Sequence, residues 1–172
     1  MTYRPARHSA PPTGTFRPPH GPPRPRQVTE SDLPELSRLD REVFGKHAYP
    51  YFMLRQLYDM YAKHLLVLDD DTGLYGYVLA GTTLRAERCW ILGLAVAADG
   101  RGQGLGRMLM LDILDRLRDE GVREVLLTVE PANVTAIVLY RSLGFVPAEP
   151  EGGFRKAYFG PEEDRIVMRL KY

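Results

Sequence analysis

The stretch from Arg88 to Val129 narrows most sharply what this chain can fold into. Arg88-Cys89-Trp90-Ile91-Leu92-Gly93-Leu94-Ala95-Val96 is a long, largely apolar run that reads as a buried strand. From about Gly104 to Glu120, Leu105, Leu109, Ile113 and Leu117 form an apolar stripe. Asp112, Asp115, Arg116 and Asp119 take the opposite face, so the segment predicts an amphipathic helix that Gly121 ends. Val122–Val129 is rich in β-branched residues and leucine, hence a second buried strand. A strand–helix–strand unit of this kind makes its two strands parallel and its crossover right-handed. It also opens a ligand crevice at the carboxyl ends of those strands.

The flanking sequence fits a mixed α/β domain. Segments 24–28 and 65–69 read as short strands, and Thr29-Glu30-Ser31-Asp32 offers N-cap residues ahead of Pro34. Leu33, Leu36, Leu39 and Val43 recur at helical spacing, predicting a helix to about Phe44 that Gly45 breaks. A second helix spans roughly 51–64, with Leu54, Leu57, Tyr58 and Tyr61 on one face. Asp69-Asp70-Asp71-Thr72-Gly73 is a turn signal, so strands near 64–69 and 74–83 form a hairpin. Asn133–Ser142 reads as a helix stopped at Gly144, and 154–159 and 165–171 as two closing strands.

Composition excludes several classes of function. At 172 residues, with 44% apolar and 26% charged, the chain is one ordinary globular domain. No apolar run approaches the ~20 residues of a membrane span, and no apolar segment of a secretory signal follows the start. Cys89 is the single cysteine, and no two of His8, His20, His47 and His64 sit at helical metal-ligand spacing. Disulfides and a resident metal are therefore not expected, and a reducing cytoplasm is. Residues 1–27 carry five arginines, eight prolines and no acid, leaving 18 bases against 22 acids in the remainder. Residues 1–23 are expected to be a disordered, solvated extension with a single domain over 24–172. Its basic charge also suits nucleic-acid contact.

Chemistry concentrates at Arg101-Gly102-Gln103-Gly104-Leu105-Gly106-Arg107, where strand passes into helix. Glycines let a backbone come close to a ligand, and a helix's first turn presents unpaired N–H groups and partial positive charge. Diphosphate oxygens are the matching ligand. A dinucleotide fingerprint would need glycine at Arg107, and a Walker loop would need Gly-Lys-Ser/Thr, so both nucleotide readings fail on spacing. The plain alternative is that the glycines merely shape a tight connection.

Leu94-Ala95-Val96 followed by Arg101-x-x-Gly104-x-Gly106 resembles the acetyl-CoA-binding motif of the GNAT superfamily of N-acetyltransferases, Q/R-x-x-G-x-G/A. Asn133-x-x-Ala136-x-x-Leu139-Tyr140-x-x-Leu143-Gly144-Phe145 resembles that family's next block, and the resemblance covers about 24–172. Local wording over 136–145 and Ala157–Met168 is similar to the protein N-terminal acetyltransferases of ribosomal-alanine type. The resemblance implies a mixed central sheet whose two parallel strands splay apart, flanked by helices. It implies that acetyl-CoA contacts Leu94, Ala95 and Val96 through its pantetheine arm. Its diphosphate would lie over Arg101, Gly102, Gln103, Gly104, Leu105, Gly106 and Arg107, with Asn133 and Tyr140 approaching from the next helix. The subgroup usually carries a glutamate base five residues before the asparagine, and here that position is Thr128.

The implied reaction transfers acetyl from the thioester to an amine of a protein or peptide, an N-terminal α-amine favoured over lysine. An amine must lose a proton before it attacks, and an α-amine near pKa 8 needs less help than lysine near 10.4. Glu130 is the candidate base, sharing Thr128's face of the strand, and is otherwise a surface carboxylate before Pro131. Tyr140 is the candidate acid for the leaving thiolate, and is otherwise a packing tyrosine. An N–H near Val96 is the candidate oxyanion donor. Phe44, Tyr49, Thr128 and Tyr158 are expected to line the acceptor site, with Tyr49 and Tyr158 exposed and His47 and His64 at the surface. A small amine such as a polyamine is the second acceptor class; it would need Glu42, Glu87, Glu130 and Glu149 gathered at one spot. A non-catalytic acyl-CoA-binding module is the third reading. Monomer and homodimer both remain open.

Overall fold

The computed structural model describes residues 21–172 apart from 71, 84–86 and 150. The extension expected over 1–23 thus lies, as far as residue 20, outside the described residues. The domain alternates β1 (Arg24–Gln27), α1 (Leu33–Phe44), α2 (Tyr51–Tyr61), β2 (Leu65–Asp69), β3 (Leu74–Thr82) and β4 (Arg88–Val96). It continues through α3 (Leu105–Asp119), β5 (Glu124–Val129), α4 (Val134–Ser142), β6 (Val146–Pro147), β7 (Phe154–Arg155) and β8 (Arg165–Lys171). The strands form one sheet in the order β1-β2-β3-β4-β5-β8-β6, with β7 on β8. Among the described strands only β4 and β5 pair in parallel, as the crossover requires.

Two apolar layers sandwich the sheet. Leu105, Leu109, Ile113 and Leu117 of α3 and Tyr140 of α4 pack on Leu66, Val78, Ile91 and Leu127. On the other face Leu36 and Leu39 of α1 and Leu54 of α2 cover Val67, Tyr77, Leu79 and Ala95. Strands β2, β3 and β4 feed both layers by alternation, which accounts for their nearly unbroken apolar runs.

Several boundaries differ from expectation. Helix α2 stops at Tyr61, and Ala62–His64 tighten into a 3-10 turn. The expected strand 154–159 shrinks to Phe154–Arg155, because the chain then turns through Ala157 at φ 49° and cannot continue a ladder. Strand β5 begins at Glu124, two residues late, and β6 is an unforeseen two-residue strand. His64 is not at the surface: it is 9% exposed and its Nε2 lies 2.8 Å from Glu120 Oε2 at the end of α3.

Candidate active site

A β-bulge opens the sheet. Pairing of β4 with β3 runs Leu79↔Gly93 and then Ala80↔Ile91, so Leu92 is the extra residue. Parallel pairing with β5 runs from Arg88↔Glu124 to Ile91↔Leu127 and stops there. Beyond that point β4 and β5 diverge, and the last residues of β4 have a free edge. The Ala97 N–H donates to Tyr75 O at 2.8 Å, which sets the alternation along β4. Ala95 and Ala97 turn their polar main-chain groups to β3, and Leu94 and Val96 turn theirs into the gap. Of the three strand residues expected at the ligand, Ala95 is therefore the exception: its main chain serves β3 and its side chain is buried under α1 and α2.

The free edge runs into the glycine-rich junction. Gly102 (φ 75°) and Gly104 (φ 79°) are left-handed, and a Cβ at either would meet nothing within 4 Å, so conformation rather than crowding demands glycine there. Gln103 Nε2 donates to Asp99 O at 2.7 Å and Arg101 Nε to Val96 O at 3.4 Å, folding the loop back on the strand end. Gly104 caps α3, whose ladder opens with Met108 N–H donating to Gly104 O. The N–H groups of Leu105, Gly106 and Arg107 are those an α-helix leaves without intrahelical partners. Leu105's side chain is core, whereas Arg107 reaches across to α4, its Nη1 donating to Ser142 Oγ at 2.6 Å. Bare amides, a helix N-terminus and arginines on both flanks fit a diphosphate.

Helix α4 flanks the gap. Asn133 caps it, its Oδ1 accepting from the Ala136 N–H at 3.1 Å. Tyr140 is 7% exposed and packs its ring 6.0 Å from that of Phe145. Among the described residues its hydroxyl has no hydrogen-bond partner, while every fully buried side-chain N or O atom does have one, so the oxygen reaches solvent. Burial pushes this phenol up to about 12. It therefore stays protonated at neutral pH and well above it.

The opposite face of the gap carries the other candidates. Thr128 is half-buried and Glu130 exposed beyond the end of β5. They share that face with Leu126, which packs with Trp90, Ala148 and Val167 into a small apolar floor. Tyr140 and Glu130 thus stand on opposite sides of the sheet, with the opening between β4 and β5 connecting them. Tyr158 is 42% exposed and stacks edge-on to Phe159, whose ring lies under the Arg165 guanidinium. Glu163 accepts from Lys46, at the α1–α2 turn, and from Arg165, joining both rims of this face.

Other expectations fare differently. Phe44 packs against the α1–α2 core. Tyr49 is half-buried rather than exposed, its hydroxyl donating to Leu92 O at 3.0 Å, whereas its neighbours Tyr51 and Phe52 are the exposed rings. The four glutamates of the small-amine reading are not assembled. Glu42 is salt-bridged to Arg38 on α1, and Glu87 stands near Arg123 before β4, at the end remote from the gap. Cys89 is packing, with burial raising its thiol to about 12. No group of three or more metal-ligating side chains occurs among the described residues, and no helix among them is long and apolar enough to cross a membrane. A groove of about 430 Å³ lies on the other side of β4, between α1 and the β2–β3 turn.

Sequence reading passed over Asp40, which is 0% exposed and accepts from the Tyr49 N–H at 2.6 Å and the Tyr77 hydroxyl at 2.5 Å. Burial raises its carboxyl, against the pull of those two donors. A signal was present: Asp40 falls four residues after Leu36, on the apolar stripe, where an acid has no business without partners.

Residues 30–145 match the family model described as "Acetyltransferase (GNAT) family". The chain belongs to that family. This acetyltransferase is 29% identical over 147 residues to the [ribosomal protein bS18]-alanine N-acetyltransferase of Salmonella typhimurium, covering 83% of this chain and 93% of the relative. The crystal structure of the ribosomal-protein-S18-alanine N-acetyltransferase from Escherichia coli superposes with a TM-score of 0.74 at 25% identity, over 87% and 93% of the two chains. One chain in the crystal structure of the NatC complex bound to Gag peptide and CoA shares the fold, with a TM-score of 0.78 at 18% identity over 88% of this chain and 99% of that one. The acetyltransferase is thus a GNAT-type enzyme in sequence and in architecture.

Proposed function

We propose that this enzyme transfers an acetyl group from acetyl-CoA to the α-amine of a protein or peptide N-terminus. The observation that carries the reading is the edge of β4 at Leu94 and Val96, which pairs with no strand on the β5 side and runs directly into the bare first turn of α3. That edge offers two strand-like hydrogen-bonding residues to an extended arm and ends at a diphosphate cradle. The relatives named for ribosomal alanine N-acetylation supply the acceptor class. Acetyl-CoA, when bound, supplies an acetyl group activated as a thioester.

In this reading Gly102 to Arg107 hold the diphosphate with main-chain amides, and Leu94 and Val96 align the arm. Glu130 takes the proton from the incoming amine, directly or through water, from the apolar-floored face beside Thr128. Val96 turns an N–H into the gap, placed to donate to oxygen that gains negative charge during attack. Tyr140 gives its proton to the departing thiolate; its hydroxyl, unpartnered and protonated, has no competing bond to break. Tyr158, Phe159 and the α1–α2 turn form the rim that an acceptor backbone would cross.

A thiol-release assay with acetyl-CoA tests this against peptides varied at their first residue, blocked peptides carrying only lysine amines, and polyamines. Turnover is expected with free N-terminal peptides. Turnover confined to polyamines, or no thiol release with any amine by protein that binds CoA, would overturn it.

A further inference from the structure

The bulge that opens the sheet is held by a buried acid on a different element, and this bears on the reaction just proposed. Asp40 sits on α1 with no exposure at all, and two donors converge on its carboxylate. One is the main-chain N–H of Tyr49, which fixes the α1–α2 turn. The other is the hydroxyl of Tyr77, a fully buried side chain from β3. Both tyrosines then touch the bulge. Tyr49 donates its own hydroxyl to the carbonyl of Leu92, the extra residue. Tyr77 lies against the next one: a Cβ at Gly93 would come within 3.0 Å of its oxygen and 3.2 Å of its ring, so a side chain there would press the ring aside by a few tenths of an ångström.

We infer that Asp40 is a positioning residue for catalysis: through Tyr49 and Tyr77 it fixes the Leu92–Gly93 bulge and thereby the direction in which Leu94 and Val96 present their main chain to the gap. A buried, doubly hydrogen-bonded carboxylate is an expensive group to keep inside a small core. Here its partners meet at the point where β4 leaves β5. The diphosphate cradle lies beyond the strand end and is folded by Gln103 onto Asp99, a contact that involves neither Asp40 nor its two tyrosines. Disturbing Asp40 therefore loosens the arm's subsite and leaves the cradle alone.

The inference rests on the thioester arm lying along this edge, and the test separates the two ideas. Calorimetry compares CoA with adenosine 3′-phosphate 5′-diphosphate, which keeps the diphosphate and lacks the arm, on wild type, Asp40→Asn and Tyr49→Phe. Both variants are expected to cut the advantage of CoA over this armless nucleotide about fivefold or more, the worth of one hydrogen bond. The nucleotide alone should bind each within about twofold of wild type, because its contacts are independent. In the thiol-release assay kcat should fall about tenfold for each variant, and the double variant should be no slower than Asp40→Asn, since both act through one chain of contacts. A CoA advantage kept within about twofold in Tyr49→Phe overturns the inference, as do losses that multiply in the double variant. Tyr49→Phe removes one half-buried hydroxyl and stands in if Asp40→Asn does not fold. Wild-type protein that binds CoA but acetylates no amine removes the proposed reaction and leaves the binding comparison decisive. Wild-type protein showing no advantage for CoA overturns both.

Discussion

Tyr140 offers the sharpest separation of chemistry from stability. Its ring is packed but its hydroxyl bonds nothing in the described chain, so Tyr140→Phe deletes no intramolecular hydrogen bond. Thermal unfolding is expected to be unchanged, CoA affinity unchanged, and kcat reduced about 100-fold, the usual scale for a general acid. An equal loss of affinity and turnover would argue against the role. The pH profile adds a second check. Burial holds the phenol protonated up to about 12, so the rate should rise through the acceptor's α-amine near pH 8 and stay level well above it. A fall in rate near pH 10 would point to some other acid. Glu130 is tested by Glu130→Gln, which should lower kcat/KM for peptides about tenfold or more. Thr128→Glu placed on that variant should restore part of the loss, because both side chains point to one face of β5.

At the scale of elements, the junction between β4 and α3 separates two uses of glycine. Gly104 has φ 79° and open space around it, so Gly104→Ala incurs about 1–2 kcal/mol of backbone strain and tilts the amides of the first turn. Reduced stability and weaker CoA binding are both expected, read by denaturant unfolding and calorimetry. Gly106 is helical, and a Cβ there would sit 3.6 Å from Leu139 and Val96, an ordinary contact. Gly106→Ala should therefore fold normally and bind CoA within about threefold of wild type, since a methyl in ordinary contact changes little. Equal damage from the two substitutions would mean that crowding, not conformation, selects these glycines.

Across the whole molecule, ion pairs tie together segments far apart in the chain. Arg26 on edge strand β1 donates to Asp32 before α1 and to Asp69 at the end of β2. The Arg26 hydrogen bond holds the Asp32 carboxyl at about 2, below its ordinary 3.8. A depressed carboxylate stabilises the fold fully above its ordinary value and loses that contribution as pH falls through the folded value. The stability difference between wild type and Asp32→Asn should therefore be about 1 kcal/mol near neutrality, after discounting for solvent screening, and should vanish toward pH 2. Urea unfolding across that range checks it, and a difference that persists in acid would assign the effect to packing instead.

The sequence by itself determined the crossover, the glycine-rich junction and the family, because these depend on local periodicity and on spacing within one segment. The apolar stripe of α3 was legible for the same reason. Tertiary structure alone decided what required two distant segments to meet. It showed where β4 parts from β5, since a bulge depends on the register between strands and not on either strand's composition. It drew His64 inward to Glu120, left Tyr49 half-buried on Leu92, and held Glu42 and Glu87 of the small-amine reading away from the gap. It also supplied Asp40 with partners from two other elements. A buried charge is tolerable only once those partners arrive, and no local pattern records that they will.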